Sequence, residues 1–257
     1  MIRPMNTRIT DWQDKVVWIT GASSGIGAAL AKQLLAHGAK VAVSARSHQA
    51  LVNIAGTGTN ILAIVCDTTN IVSLQEAAAV ISEKFGNIDL LVANAGNHTP
   101  MRAYELDAAK AGALIQTNLT GTINTVATAL PHLAKHGGIA IVASVAGFSG
   151  LPTGLIYGAT KAALINFTET LYLDLAPRGL CVYLINPGFV KTPLTDKNPY
   201  KMPGLMSAED AASRIVRGIE QGRFEIHFPR RFTTILKSLR LLPYRWYFWL
   251  IHKGTGL

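Results

Sequence analysis

Two cysteines in 257 residues, Cys66 and Cys181, are too few and too far apart for a disulfide framework, and neither stands in a CxxC or CxxH spacing that would hold zinc. No metal is therefore expected, and a reducing compartment suits the chain. Long hydrophobic runs are missing too. The best candidate, Trp246 to Ile251, is broken by Arg245 before it and His252 after, far short of the ~20 apolar residues that a spanning helix needs. The polar start, MIRPMNTRITDWQDK, lacks the apolar stretch of a secretory signal, which predicts a cytoplasmic location. Acidic residues are the scarcer charge, 15 against 24 basic, for a net charge of +9. The imbalance is local: residues 1–222 carry 17 basic and 14 acidic groups, residues 223–257 carry 7 and 1. The place of a charge excess says more about partners than its size does.

What the chain has is apolar content, 49% against 15% charged, enough for one sizeable α/β core. Short apolar runs at Val16 to Thr20, Val41 to Ser44, Ile61 to Cys66, Ile88 to Ala93, Ile139 to Ser144 and Val182 to Ile185 read as buried strands. Longer Ala- and Leu-rich segments near 24–37, 70–85, 104–135, 155–176 and 207–221 carry helical spacing. The alternation predicts a doubly wound parallel sheet, closed by a last strand at 224–228, with functional residues just after the strands.

Directly after the first run comes TGASSGIG, Thr20 to Gly27. Glycine permits a tight turn and close backbone approach, and a helix N-terminus offers free N–H groups to a pyrophosphate. Gly21, Gly25 and Gly27 are the candidates for that cradle, with Ser23, Ser24 and Ile26 between them. At the end of the second run, VAVSARS puts Ala45 where an acidic group would favour NAD, followed by Arg46. A guanidinium can hold a 2′-phosphate by charge-assisted hydrogen bonds. NADP(H) is thus the expected cofactor; NAD(H) stays open, since the preference rests on one charge and Arg46 also reads as a solvated loop residue.

Tyr157 and Lys161, in YGATK, stand four apart near the start of a predicted helix, which sets an ammonium beside a phenol. A free phenol titrates near pH ~10, and a nearby cation stabilises the phenolate, so Tyr157 is a candidate acid/base. Ser144 ends the fifth run, placed to donate to a carbonyl oxygen.

These features, with the TGxxxGxG spacing, ANAG at 93–96, Asn118 in QTNLTG and NPGFVKT at 186–192, resemble the short-chain dehydrogenase/reductase family over roughly residues 14 to 225. The resemblance implies a Rossmann-like catalytic domain at 14–228, preceded by an extension at 1–13 and followed by a C-terminal segment at 229–257. It implies that Asp67 contacts the adenine ring with Thr68 beside it, and that Asn94, Ala95 and Gly96 line the cofactor; Ala93 stands where the commoner form has asparagine. It further implies that Asn118 helps hold a water relay to Lys161, that Lys161 also binds the nicotinamide ribose, and that Pro187, Gly188, Val190 and Thr192 lie along the carboxamide. The implied activity interconverts a ketone or aldehyde and an alcohol. The implied assembly is a homodimer or homotetramer through the helices carrying Asn118 and Tyr157. A non-catalytic NADP-binding or membrane-associated regulatory protein on the same fold is the alternative, and the complete set Asn118, Ser144, Tyr157 and Lys161 argues against it.

The segment Lys191 to Met206 falls where the family has its substrate loop; its methionines and Tyr200 fit either an apolar pocket or a plain surface loop. The tail is less ordinary. Phe232, Ile235, Leu236, Leu239 and Leu242 share one predicted helical face, Lys237 and Arg240 point away, and Pro243 breaks the helix. Beyond it, Tyr244, Trp246, Tyr247, Phe248 and Trp249 stand beside Arg245 and Lys253. A peripheral anchor on the inner membrane surface and a contact with a subunit or domain both fit. Nucleic acid is not expected, because the apolar face is too continuous for a solvated groove. Some lipid- and sterol-directed members of the family have comparable tails, which points to a lipophilic carbonyl substrate.

Overall fold

The computed structural model describes residues 4–56, 58–197 and 202–256. Among these, the strands are β1 (Val16–Thr20), β2 (Lys40–Ala45), β3 (Ile61–Val65), β4 (Ile88–Ala93), β5 (Leu133–Val142), β6 (Cys181–Pro187) and β7 (Glu225–Phe228). They form one parallel sheet in the order β3-β2-β1-β4-β5-β6-β7. The helices are α1 (Gly25–Ala36), α2 (His48–Ala55), α3 (Ile71–Phe85), α4 (Ala108–Ile115), α5 (Gly121–Ala129), α6 (Leu155–Leu175), α7 (Ala208–Glu220), α8 (Arg230–Leu239) and α9 (Tyr244–Thr255).

The central strands are apolar on both sides because both sides are covered. Leu30 and Leu34 of α1, Leu51 of α2 and Ile215 of α7 pack on one face with Val17, Ile19 and Val43. Leu74 and Ile81 of α3, Val126 of α5 and Leu164 of α6 pack on the other with Trp18, Leu91 and Ile141. Trp18 is fully buried because its indole N–H reaches the Ser44 hydroxyl at 3.0 Å. Strand order reverses between β1 and β4, so a crevice opens beyond their carboxyl ends, where such sheets bind ligands.

Several elements differ from their sequence-based expectation. The segment predicted as helical at 104–135 is α4 and α5 joined by a π-helical turn, Gln116–Thr120, and it gives way to β5 already at Leu133. Helical spacing carries no mark of an extra residue in a turn, so the insertion is invisible in sequence. Helix α2 was not expected; its eight residues are too few to establish a period, although Ser47 caps it through Ala50 N–H. Ser144 lies beyond β5, where its hydroxyl accepts from Ala146 N–H at 3.1 Å and caps a short 3₁₀ turn. On α8, Ile235 is exposed and Lys237 reaches back to Glu225 while still half-exposed. Thr233 is the fully buried residue of that helix, its hydroxyl 2.6 Å from His227. Phe232 and Leu236 pack on the core and Leu239 faces the body as predicted, so the departures are Ile235 and Lys237.

Residues before Val16 also join the body. Asn6 is buried, and its amide bonds both the carbonyl and the N–H of Val182 at 2.8 and 3.0 Å, extending the edge of β6.

Candidate active site

The glycine-rich turn is held in the crevice by β4. The Asn94 side chain donates to the carbonyls of Thr20 and Gly21, while the Thr20 hydroxyl accepts from the N–H groups of Asn94 and Ala95. Gly21 has φ +65°, and a Cβ there would lie 2.6 Å from the Ala95 backbone. Gly27 packs as tightly on the Asn94 amide, and a Cβ on Gly25 would meet the Thr192 side chain at 2.8 Å. The turn, the segment after β4 and the segment after β6 are thus packed together at the carboxyl end of the sheet. Ser24 precedes α1 without capping it by its side chain, and Ser23 and Ile26 are half-buried in the turn. The first N–H groups of α1 are consequently left to a ligand.

Around this cradle, Arg46 is exposed just beyond β2. Asp67 follows β3, and its carboxylate accepts from the N–H and hydroxyl of Thr69 at 2.9 and 2.8 Å. The Thr69 backbone bond, more than the nearby Arg46 charge, holds that carboxyl below the usual range. Thr68 is buried against Gly121 of α5. Pro187 ends β6, Gly188 N–H bonds Phe228 at 2.7 Å, and Val190 is buried with a bridge to Met206. Tyr200 lies outside the described residues, so the expected apolar loop is described only at its ends.

The second group gathers on Lys161. Its ammonium is buried, bonds the Val142 carbonyl at 2.8 Å and lies 5.7 Å from the centre of the Tyr157 ring. Desolvation lowers its pKa from 10.5 to about 8. Asn118, carried by the π-helical turn and fully buried, clamps Asn97: its side-chain oxygen accepts from Asn97 N–H at 2.7 Å and its amide donates to Asn97 O at 2.9 Å. Asn118 and Lys161 meet at Gly96, where a Cβ would lie 3.4 and 3.6 Å from their polar atoms. Asn118, Lys161 and Tyr157 are thus brought together, with Ser144 two residues beyond Val142.

Two residues here escaped the sequence reading. His98 is buried with its ring edge-on to Tyr157 at 4.6 Å; histidine two residues past ANAG has no spacing signal. Gly147 lets the turn after Ser144 touch α6, since a Cβ would lie 2.6 Å from the Lys161 carbonyl carbon. The VAG tripeptide was visible, but not what it leans on.

The C-terminal helices flank the same region. Glu225 accepts from the buried Asn186 amide at 3.1 Å and pairs with Lys237 of α8. The Tyr247 hydroxyl of α9 donates to the Gly150 carbonyl. Between tail and body runs a small cleft lined by Val145, Phe148, Leu151, Leu236, Leu239 and Ile251.

A glycine-rich turn packed too closely for any Cβ, at an uncapped helix N-terminus beside the sheet's switch point, fits a dinucleotide. With a buried lysine and a tyrosine next to it, the fold and site define a nucleotide-dependent oxidoreductase. Residues 15–202 match the short chain dehydrogenase family model. An uncharacterized oxidoreductase of Myxococcus xanthus is 36% identical over 231 residues, covering 88% of this chain and 91% of that protein. A short chain dehydrogenase/reductase from Burkholderia phymatum, solved with NAD, superposes with a TM-score of 0.82 at 27% identity, over 89% of this chain and 94% of the other. A short chain dehydrogenase from Burkholderia cenocepacia, solved with NADP, gives 0.74 at 30% identity, over 84% and 95%. The chain belongs to the short-chain dehydrogenase/reductase family and is an oxidoreductase of that type.

Proposed function

We propose that the chain uses NADP(H) to interconvert lipophilic ketones or aldehydes and their alcohols, with Asn118, Ser144, Tyr157 and Lys161 as its catalytic set. The observation that carries this reading is the buried Lys161 ammonium, set beside the Tyr157 ring, the Val142 carbonyl and the Asn118 clamp. A bland structural lysine would not be kept desolvated at the mouth of a nucleotide cleft.

When bound, the nicotinamide supplies the hydride. Ser144 and Tyr157 hold the carbonyl oxygen, and Tyr157 gives up its phenolic proton as that oxygen gains charge. Lys161 stabilises the phenolate left behind. Asn118, by clamping Asn97, fixes the chain beside Lys161 and keeps a route for proton return. In the nucleotide cleft, Gly21, Ser23, Ser24, Gly25, Ile26 and Gly27 receive the pyrophosphate, Arg46 the 2′-phosphate, and Asp67 and Thr68 border the adenine. Asn94, Ala95 and Gly96 line one wall; Pro187, Gly188, Val190 and Thr192 line the other. The basic, apolar C-terminal segment, whose α8 and α9 lie against the turn after Ser144, supports a lipophilic substrate. Exposed Ile115, Ile123 and Leu173 on α4, α5 and α6 support a homodimer or homotetramer. A cytoplasmic place, where apolar substrates partition into the inner membrane surface, completes the reading.

Tyr157→Phe tests the set directly. Turnover is expected to fall by about 10²- to 10⁴-fold while NADPH binding, followed by its fluorescence, is retained; undiminished turnover removes Tyr157 from its role.

A further inference from the structure

The outer side of the tail has no partner in the fold. Helix α9 turns Tyr247 inward, with Leu250 and Ile251 half-buried beside it. Its other rings point away: Tyr244 is 78% exposed, Trp246 59%, Phe248 61% and Trp249 53%, with Leu241 before them at 86%. Water is a poor neighbour for five large apolar groups on one short segment, and patches of this kind mark contact surfaces. The rings pair off along the helix, Tyr244 stacked on Phe248 at 5.7 Å and Trp246 edge-on to Trp249 at 6.4 Å.

Charge identifies what covers it. Arg240, Arg245 and Lys253 stand exposed around the rings, Lys253 over the face of Trp249 at 5.1 Å, and no acidic residue occurs from Pro229 to Gly256. A second copy seated two-fold on this face would press these cations against their own images with no carboxylate between them. An anionic lipid surface meets both demands, since indole and phenol rings settle at headgroup level while arginine and lysine reach the phosphates. No helix among the described residues is long and apolar enough to cross a membrane. A helix of 12 residues, held to the body on its inner side by Tyr247, lies flat instead.

We propose that residues 240–255 dock the protein peripherally on anionic phospholipid, with Tyr244, Trp246, Phe248 and Trp249 entering the headgroup region and Arg240, Arg245 and Lys253 pairing with phosphates. The docking stands apart from the reading of the reaction, because it is measured without turnover.

The test is flotation of the full-length protein with vesicles of phosphatidylcholine alone or mixed with phosphatidylglycerol, at low and high salt. Binding is expected to rise with phosphatidylglycerol and to fall with salt. The exposed triple variant Trp246→Ser/Phe248→Ser/Trp249→Ser is expected to stay in the soluble fraction. Arg245→Gln/Lys253→Gln is expected to lose roughly twenty-five-fold in partition, at about fivefold per cation. An unchanged circular dichroism spectrum and thermal unfolding midpoint show that each variant is folded. Failure of the wild type to float with anionic vesicles overturns the proposal, as does equal flotation of the folded triple variant. A fall in mass of the triple variant by light scattering would place a second copy on the face and overturn it too.

Discussion

Lys161 carries a positive charge in a place that disfavours one. With its pKa lowered from 10.5 to about 8 by burial, the charged side chain costs the fold on the order of 3 kcal/mol at neutral pH. Below about pH 8 both folded and unfolded chains hold the proton and the whole cost is present; between about 8 and 10.5 the folded protein has shed it first, and the cost fades. Lys161→Met is therefore expected to lose turnover yet unfold at no lower temperature than the wild type at pH 7. Its relative stability should decline as the pH rises toward 10.5. Thermal unfolding across that range checks this, and a pH-independent difference would contradict it. Arg46 is exposed, and its proposed contribution is to the 2′-phosphate rather than to the fold. Arg46→Ser is expected to raise the KM for NADPH roughly 10- to 100-fold, the worth of a charge-assisted bond, and to leave that for NADH unchanged.

At the scale of elements, the site depends on two close approaches. One is Gly21 against Ala95, which brings the first turn onto β4; the other is Gly147 against the Lys161 backbone, which sets the Ser144 turn on α6. Gly147→Ala is expected to lower kcat about 100-fold by displacing Ser144, as small misplacements do, with NADPH affinity retained. Steady-state kinetics beside a binding titration checks it. The turn behind the first approach was legible in the sequence because TGxxxGxG signals tight turning before a helix; its contact with Ala95 and the whole of the second approach were not, because both partners lie in other elements. The same distinction explains the long segment before β5. Its apolar spacing announced helix, but the π-helical turn that aims Asn118 inward follows from packing against Asn97 and Thr160, not from local pattern. On α8, spacing placed Phe232, Leu236 and Leu239 on the inner side correctly and Ile235 wrongly, while Thr233 is buried by its bond to His227.

At the scale of the molecule, both ends of the chain are tied to the sheet edge beyond β5. Asn6 satisfies two backbone groups of Val182, and α8 is latched to β7 beside Asn186 of β6. Asn6→Ala leaves that buried pair unsatisfied and is expected to cost about 2–4 kcal/mol, seen in denaturant unfolding as a lower midpoint at constant slope. Nothing in the N-terminal residues foretold this, since one asparagine carries no pattern. The tail, by contrast, announced its unusual composition but not its orientation, which the Tyr247 bond to Gly150 decides. The doubly wound parallel sheet and the glycine-rich turn were legible from alternation and glycine; the order of the strands and the setting of the Ser144 turn on α6 depend on contacts between distant segments. The measurement that bears most directly on the whole account is transfer from NADPH deuterated at C4 of the nicotinamide to ketones of increasing chain length, with the product read by mass spectrometry. The account predicts one deuterium on the carbinol carbon, with efficiency rising with chain length. Absence of a deuterated alcohol across the series would contradict it.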